Sequence, residues 1–460
     1  MIVAAPTNFR APAAPRGKRP KGAVGILAAI VRNPIEIWAD PHFEHPVLIG
    51  KSIFGVRAVV SDPASIRRIF LDNVANYRKD ALQLRILKPG AGAGLLTADG
   101  ESWKMQRRAL APLFSPRLVA SFAPAMHRVA RAGAEAIAGR RDGAVIDADV
   151  EMAVVTLKVL EQTLFSQGLA RDATQFQRAV TRYFETFGSV DPLDLFGAPD
   201  FLPRLRRIGG KEALAFFASA VNDIVAARRT LIATGAAPPQ DLLTLLLRAA
   251  DPETGRGLSE EDVRANIVTF ISAGHETTAN GLTWTLYLLS QSPAWRERVE
   301  AEIDAKFDPA DESDWTDRLP VTRAVFEETL RLFPPAPNLV REAIGEDWLS
   351  GVRIPAGAVV TVSPYVLHRH KTLWRNPEEF DPSRFLPGER EKIDRYAFMA
   401  FGAGPRVCIG QSFAMQEAII VLAHLLRRAR LDLFPGHRIA LQQRITLRPR
   451  FGMRMTVRRR

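Results

Sequence analysis

Residues 401–410 read FGAGPRVCIG, and this stretch decides the fold. It is a glycine-rich loop that ends where an apolar helix over residues 411–426 is predicted, and it holds Cys408, the only cysteine of the chain. Glycines let a backbone approach a flat ligand closely, and free loop amides can hydrogen-bond a sulfur. A thiolate is favoured at a helix N-terminus. The loop therefore predicts a thiolate site, although a lone cysteine is more commonly a small buried hydrophobe.

Two other kinds of site do not fit the spacing of these residues. A dinucleotide-binding loop has its third glycine where Val407 stands, and the loop at residues 401–410 contains no Gly-Lys-Ser/Thr sequence. Zinc needs several Cys or His ligands, yet among eight histidines only His368 and His370 have a metal-like spacing. Such a pair is more commonly a surface or hydrogen-bonding pair. Neither a phosphate site nor a zinc site is predicted.

The composition is that of a folded globular protein, with 47% apolar and 24% charged residues in 460. This length allows two or three ordinary domains or one large one. The net charge of +12 is compatible with nucleic acid, an anionic membrane or an acidic protein partner. Because the arginines are spread along the chain, with only short runs such as 458–460, no nucleic-acid binding is predicted.

The N-terminal residues 1–22 are rich in Pro, Ala and basic residues, and we expect them to form a flexible segment ahead of a single domain over residues 23–460. The apolar run that follows, residues 23–31, is far shorter than the roughly 20 residues that span a bilayer. The long basic lead and the missing small-residue cleavage site disfavour a signal peptide. With one cysteine no intramolecular disulfide can form, which favours a soluble protein of the reducing cytoplasm.

The pattern along the chain predicts a mainly α fold with small β regions. Short strands are expected at residues 41–60 and again at 341–362, and residues 101–248 are mostly helical in spacing. Ser259 and Asp262 resemble a capping box that opens a helix of about 30 residues, roughly 45 Å long. A helix of that length usually crosses a large domain.

The loop at residues 401–410 resembles the haem-binding signature of the cytochromes P-450, Phe-x-x-Gly-x-Arg-x-Cys-x-Gly. The matching residues are Phe401, Gly404, Arg406, Cys408 and Gly410. The resemblance implies a large helical domain with a smaller β-rich part and a non-covalent haem b. It also implies that Cys408 is the axial thiolate, that Phe401 packs beside the sulfur and that Arg406 pairs with a haem propionate. Such a thiolate favours O–O cleavage.

Two further segments are similar to structural motifs of that family. Glu328 and Arg331 lie at i and i+3 of a predicted helix, and taken alone they would be a surface ion pair worth a few tenths of a kcal/mol. They resemble the family's Glu-x-x-Arg motif. Residues 382–385, PSRF, resemble its Pro-x-Arg-Phe segment, which implies that Arg384 completes a structural triad.

Other arginines stand where the family contacts the haem propionates. Trp103 and Arg107, at i and i+4 of a predicted helix, resemble the Trp-x-x-x-Arg pair on one propionate. Arg341, ten residues past Arg331, is where another propionate arginine is usual. The resemblance therefore implies a cofactor site built from widely separated segments.

Residues 273–278, AGHETT, have a low helix propensity, because a glycine and two β-branched threonines stand in the middle of the predicted helix. The segment could be a tolerated, kinked helix. It resembles the family's Ala-Gly-x-Asp/Glu-Thr oxygen-activation motif, which puts Ala273 at the cofactor and implies that Gly274 opens space for dioxygen. The same resemblance implies that Thr277 and Glu276 assist proton delivery.

The implied activity is that of a haem-thiolate monooxygenase that uses O2 to hydroxylate an apolar small molecule such as a fatty acid, terpenoid, steroid or aromatic. Only about 50 residues follow the signature, fewer than a reductase domain of about 100 or more needs. A separate ferredoxin or flavodoxin, with its reductase, is therefore expected as donor. The basic charge suits an acidic ferredoxin, or it reflects an arginine-rich composition.

Two alternatives differ in class from that activity. A hydrogen-peroxide-dependent peroxygenase usually lacks the acid–threonine pair, so Glu276 and Thr277 argue against it. A non-catalytic haem-thiolate sensor or carrier would be expected to have a signalling or DNA-binding module, which the sequence does not show. For the monooxygenase, substrate contacts are expected from the loop before Trp103 and from a set of mostly apolar residues: Phe270, Ala273, Asn338, Leu339 and Val340.

Overall fold

The structure is a computed structural model that describes residues 8–52, 55–166, 192–195, 211–235 and 237–460. Residues 1–7 of the expected N-terminal segment and parts of the expected helical region lie outside the described residues. The α-helices, numbered in chain order, are α1 (Ala23–Arg32), α2 (Pro63–Arg67), α3 (Ala81–Ala91), α4 (Gly100–Leu110), α5 (Pro116–Ala120), α6 (Ala123–Ala138), α7 (Ala148–Leu160), α8 (Pro192–Leu195), α9 (Lys211–Ala233), α10 (Leu242–Arg248), α11 (Glu260–Gln291), α12 (Pro293–Lys306), α13 (Pro320–Leu332), α14 (Pro364–Leu367) and α15 (Gln411–Arg428).

The strands form four small sheets within the described residues. They are β1 (Val47–Ser52), β2 (Gly55–Val60), β3 (Tyr77–Lys79), β4 (Val145–Asp147), β5 (Leu339–Ala343), β6 (Asp347–Leu349), β7 (Val352–Ile354), β8 (Val359–Val362), β9 (Ala429–Leu433), β10 (Leu441–Gln443), β11 (Leu447–Pro449) and β12 (Arg454–Arg459). One sheet has the order β1-β2-β8-β5-β3, another β4-β12-β9, and β6-β7 and β10-β11 are two-stranded. In the largest sheet β2 and β8 run parallel and the other pairs are antiparallel.

This arrangement confirms the predicted mainly α fold with small β regions. The strand regions expected at 41–60 and 341–362 pair with each other in one sheet, although they are distant in sequence. The sheet formed by β4, β9 and β12 was not predicted. The pattern that could have revealed it is the alternation along β12, where Met455 and Val457 are fully buried and Thr456 between them is not.

The long helix α11 has 32 residues and begins with the predicted capping box, since Ser259 Oγ accepts a hydrogen bond from the Asp262 amide at 3.1 Å. A helix of that length extends about 48 Å. Most of its side chains are buried, and Trp284 stacks on Phe333 with 4.0 Å between ring centroids. It contacts α7 along one side and α13 and α15 along others. α11 is therefore the central element of the helical core.

The part of the N-terminal segment that the structure describes lies against the domain. The Ala11 amide donates to the Glu378 carbonyl at 2.8 Å, and the Tyr365 hydroxyl accepts from the Ala14 amide at 2.9 Å. Arg16 pairs with Asp40 at 3.3 Å. These contacts give residues 8–22 a defined path, while flexibility itself stays a prediction. Among the described helices, none combines the length and apolar character needed to cross a bilayer.

Candidate active site around Cys408

The loop that carries Cys408 is folded tightly before α15. The Cys408 amide donates to the Phe401 carbonyl at 2.8 Å, which closes the loop on itself. Gly404 has a φ of +67°, and a Cβ atom there would overlap the carbonyl oxygen of Phe70. Gly404 is therefore required both by its backbone conformation and by the close approach of the loop to Phe70.

The Cys408 side chain is exposed, yet enough protein surrounds its sulfur to disfavour the charged form, and these two facts together indicate that the sulfur lines a recess. Burial raises the pKa of the Cys408 thiol, while the Gly410 amide and the Arg107 guanidinium act in the opposite direction. The sulfur also lies just before the N-terminus of α15, where unpaired amides favour a negative charge. The usual role of a lone cysteine, a small buried hydrophobe, does not describe this residue.

Basic side chains from separate segments gather near the recess. Arg406 pairs with Asp99, and its guanidinium lies 4.0 Å from the centroid of the Trp103 ring. Burial lowers the pKa of Arg107 and lowers that of Arg341 to about 10. Within the part of the chain that the structure describes, no carboxylate lies within 4.0 Å of either Arg107 or Arg341. Two half-buried guanidinium groups without a carboxylate partner favour an anionic ligand at this place.

Lys79 lies in the same cluster, and no motif in the sequence singled it out. Its ammonium donates to the carbonyls of Leu96 at 2.6 Å and Ala98 at 2.8 Å. Burial first, and then the charge of Arg406, lowers the pKa of Lys79 to about 7. Lys79 therefore fastens the loop that precedes α4, the loop from which substrate contacts were expected.

Residues 273–278 form a regular part of α11. The Thr277 hydroxyl donates to the Ala273 carbonyl at 2.6 Å, and Ala273 is exposed although the helix around it is largely buried. A Cβ atom at Gly274 would lie 3.3 Å from both methyl carbons of Leu160, so the glycine admits the close approach of α7. Its role in opening space for dioxygen stays a prediction. His275 is buried and its ring lies 3.1 Å from the Thr156 hydroxyl.

Glu276, the neighbour of Thr277, points to the C-terminal hairpin of β10 and β11. The Thr446 hydroxyl donates to the Glu276 carboxylate at 2.6 Å. Burial raises the pKa of Glu276. The Thr446 hydrogen bond and the charges of Arg448 and Arg444 lower it, but by less than burial raises it. Thr446 is a residue that sequence reasoning missed, because nothing local marks a contact across 170 positions.

Glu328, Arg331 and Arg384 form one buried cluster. The Arg331 Nε and the Glu328 carboxylate are 2.6 Å apart with both side chains 0% exposed, and Arg384 lies 3.7 Å from the same carboxylate. Arg331 also donates to the carbonyls of His368 at 2.6 Å and Pro377 at 2.8 Å. The alternative of an isolated surface ion pair is therefore wrong.

The residues expected at the substrate differ in exposure. Phe270 is only 8% exposed because its ring packs edge-on against Phe114 at 5.1 Å. Leu339 and Val340 are half-buried on β5, which pairs with β8. Asn338 Oδ1 is buried, and no described residue hydrogen-bonds it. An unpaired buried carbonyl oxygen is costly, which makes Asn338 a candidate contact for a polar group of a ligand.

Comparison with known proteins agrees with this geometry. The family model described as cytochrome P450 matches residues 53–451. The chain belongs to the cytochrome P450 family. A solved structure, the cytochrome P450DA heme domain, superposes with a TM-score of 0.80 and 25% identity over 99% of this chain and 98% of that one. The fold and the order of motifs are therefore those of a cytochrome P450.

Several curated relatives are similar to this cytochrome P450 over most of their length. Cyclooctatin synthase of Streptomyces melanosporofaciens is 34% identical, over 78% of this chain and 77% of that protein. Cyclooctat-9-en-7-ol 5-monooxygenase of the same organism is 33% identical, over 75% and 74%. Human cytochrome P450 4V2 is 30% identical, over 82% and 75%. The protein is thus a cytochrome P450 monooxygenase, a family that binds haem through a cysteine thiolate.

The residues around the recess fit a haem. An exposed sulfur at a helix N-terminus suits an iron ligand, and the half-buried guanidinium groups of Arg107 and Arg341 suit the two carboxylates that the porphyrin carries. Exposed Ala273 on α11 presents a small side chain that would leave space beside a flat ring. This chemistry agrees with the cofactor of the family.

Proposed function

We propose that this cytochrome P450 hydroxylates an apolar small molecule with O2 and two electrons from a separate protein, and that Cys408 is the thiolate ligand of a non-covalent haem b. The observation that carries the proposal is the exposed Cys408 sulfur in a cluster with Arg107 and Arg341, two half-buried arginines without a carboxylate partner among the described residues. The family's activity supplies the reaction class.

In this proposal the chain's own residues hold the cofactor and control protons. Cys408 is the metal ligand, and Arg107, Arg341 and Arg406 bind the propionates. Trp103 supports Arg406, whose guanidinium carbon lies over the Trp103 ring. When bound, the haem supplies dioxygen activation and oxygen transfer. Thr277 and Glu276 hold and pass protons on the α11 side, which reaction with O2 requires.

The substrate that this site favours is apolar with a polar group at one end. Phe270, Ala273, Leu339 and Val340 offer apolar surface, and the unpaired Asn338 carbonyl oxygen offers one hydrogen-bond acceptor. Fatty acids, terpenoids, steroids and small aromatics remain the substrate classes, and the relative named for cyclooctat-9-en-7-ol supports a cyclic hydrocarbon alcohol among them. A panel of such compounds, scored by displacement of water from the iron, identifies the class.

The electron donor in this proposal is a ferredoxin or flavodoxin with its reductase, in the cytoplasm. The net charge of +12 favours an acidic partner, since opposite charges speed association. Steady O2 consumption with substrate and donor is the expected result. If the protein shows the spectrum of a thiolate-ligated haem but consumes no O2, it is a haem carrier or sensor instead.

The decisive experiment is the absorption spectrum of the dithionite-reduced protein under carbon monoxide. A Soret band near about 450 nm is expected for the wild type and is lost in Cys408→Ser, because only a thiolate ligand gives that band. Gln411→Ala, at the exposed first position of α15, is the matched control and keeps the band. A band near about 420 nm in fresh, folded wild-type protein contradicts the proposal.

A further inference from the structure

The C-terminal hairpin controls the acidic side chain that precedes Thr277. Thr446 lies in the turn between β10 and β11, is 5% exposed, and donates its hydroxyl proton to the Glu276 carboxylate at 2.6 Å. Glu276 and Thr277 are neighbours on α11, but the Thr277 hydroxyl is bonded to the Ala273 carbonyl. The Glu276 carboxyl is thus bound to the hairpin and not to Thr277.

A second contact fixes the direction of this hydrogen bond. The Asn280 amide, one turn further along α11, donates to the Thr446 hydroxyl oxygen at 3.3 Å. An NH2 group only donates, and a threonine hydroxyl has a single proton, so that proton is left for Glu276. The three side chains therefore present Glu276 as an acceptor, which is the arrangement that stabilises the carboxylate.

The charged groups that face Glu276 come from two elements. Arg448 and Arg444 lie on the hairpin, and Asp149 lies at the start of α7. Burial, then Asp147 and to a lesser degree Glu276, raises the pKa of Asp149 to about 6, while Arg448 acts in the opposite direction. Arg448 therefore interacts with both carboxyl groups, and Asp149 is only partly buried. The charges that act on Glu276 are thus the basic ones of the hairpin, and they favour its ionised form.

The hairpin is itself fixed by contacts with distant segments. The Asn33 side chain donates to the Leu441 carbonyl at 2.9 Å and accepts from the Gln443 amide at 2.9 Å. The Leu447 amide donates to the Pro335 carbonyl at 3.0 Å, and Pro335 lies just before the segment from which substrate contacts are expected. The position of Thr446 is therefore tied to the segment at residues 335–340.

We propose that the Thr446 hydroxyl is a positioning group that holds Glu276 against the hairpin in its proton-accepting form, and that proton delivery towards Thr277 requires this hydrogen bond to open. The inference rests on the proposed function, because that function gives Glu276 and Thr277 their role. A proton from solvent is taken up by Glu276 and is passed to the Thr277 side. No oxidant or reductant is consumed in these transfers.

The test is an infrared titration of carboxyl groups in the holoprotein, with Glu276→Gln used to assign the Glu276 band. Thr446→Val removes the hydroxyl and keeps the shape, so the pKa of Glu276 is expected to rise. Thr446→Ser restores the hydroxyl and the wild-type titration. Thr285→Val is the matched control, because the Thr285 hydroxyl is also buried but donates to the Gly281 carbonyl at 2.8 Å.

Catalysis provides a second readout. Product formed per O2 consumed is expected to fall with rising pH as Glu276 loses its proton, and Thr446→Val moves that fall to higher pH in parallel with the infrared titration. An unchanged Glu276 titration in Thr446→Val, or an equal shift in Thr285→Val, overturns the inference. Loss of the band near about 450 nm in the wild type overturns the proposed function instead, so the two failures are distinguishable.

Discussion

At the scale of single residues, Glu417 is a buried acid that the proposed chemistry does not use. It lies on α15, is 0% exposed, and faces α11, where the Thr278 hydroxyl only partly offsets the effect of burial. Burial raises the pKa of Glu417 well above its ordinary value. Burial therefore opposes ionisation of the Glu417 carboxyl group and favours its neutral form.

Glu417→Gln is therefore expected to keep or raise the stability of the protein at pH 7. In the unfolded chain Glu417 ionises above its ordinary pKa of 4.5, so the wild type loses stability as pH rises above that value, and the glutamine variant does not. Thermal unfolding between pH 5 and 8 measures the difference. Glu417→Ala should lower the free energy of unfolding by about 2–4 kcal/mol, because it leaves a cavity in the core. The exposed Glu261→Gln is the control, and a glutamine variant as unstable as the alanine variant would contradict the prediction.

At the scale of elements, the Arg331 guanidinium joins α13 to the segments that precede the Cys408 loop. It donates twice to Glu328 and to the carbonyls of His368, Pro377 and Glu379. All of these carbonyls belong to residues 368–379, a stretch with little regular structure that depends on the arginine for its hydrogen bonds. The ion pair therefore fixes a loop as well as a helix.

Arg331→Leu is expected to destabilise the protein by about 3–5 kcal/mol, because it leaves the Glu328 carboxylate buried without its partner. Arg331→Lys should be only slightly more stable than Arg331→Leu, because an ammonium group cannot replace the planar set of donors of a guanidinium group. Arg323→Leu on the same helix removes an exposed pair with Asp317 and a longer contact with Glu327, which keeps its partner Arg390, so it should cost less than about 1 kcal/mol. Denaturant unfolding of the three variants checks this. Equal losses for Arg331→Leu and Arg323→Leu would show that the cluster is not structural.

At the scale of the whole molecule, several buried histidines make the fold sensitive to acid. Burial lowers the pKa of His275 to about 4 and those of His368 and His424 to about 3. They lie on α11, after α14 and on α15, and the His424 ring bonds to that of His127 on α6 at 3.0 Å. Charging any of them disrupts packing between elements, so the effect belongs to the core as a whole.

The contribution of these histidines to stability is therefore expected to be full above about pH 6.5 and to fall as pH is lowered towards 4, because the unfolded chain binds protons that the folded core excludes. The slope is up to about 1.4 kcal/mol per pH unit for each such histidine. His424→Gln should reduce the slope measured by thermal unfolding between pH 5 and 7, whereas the exposed His45→Gln should not. A slope that is the same in all three proteins would refute this account.

Much of the fold could be predicted because its signals are local. The capping box of α11, the strands of the largest sheet and the loop at residues 401–410 each depend on patterns within one or two turns of chain. The order of the motifs then indicated the family, and the comparisons confirmed it. The roles of the individual site residues stay predictions, since membership in a family does not test each position.

The sequence by itself determined where α11 and α15 begin, the thiol before α15 and the residues that can carry charge. Only the tertiary structure decided that Glu328 and Arg331 are fully buried, that Cys408 faces a recess, and that Glu276 is bound by Thr446. The physical reason is that burial and long-range hydrogen bonds depend on which elements pack together. Side chains 170 positions apart leave no common pattern in the chain that would reveal their contact.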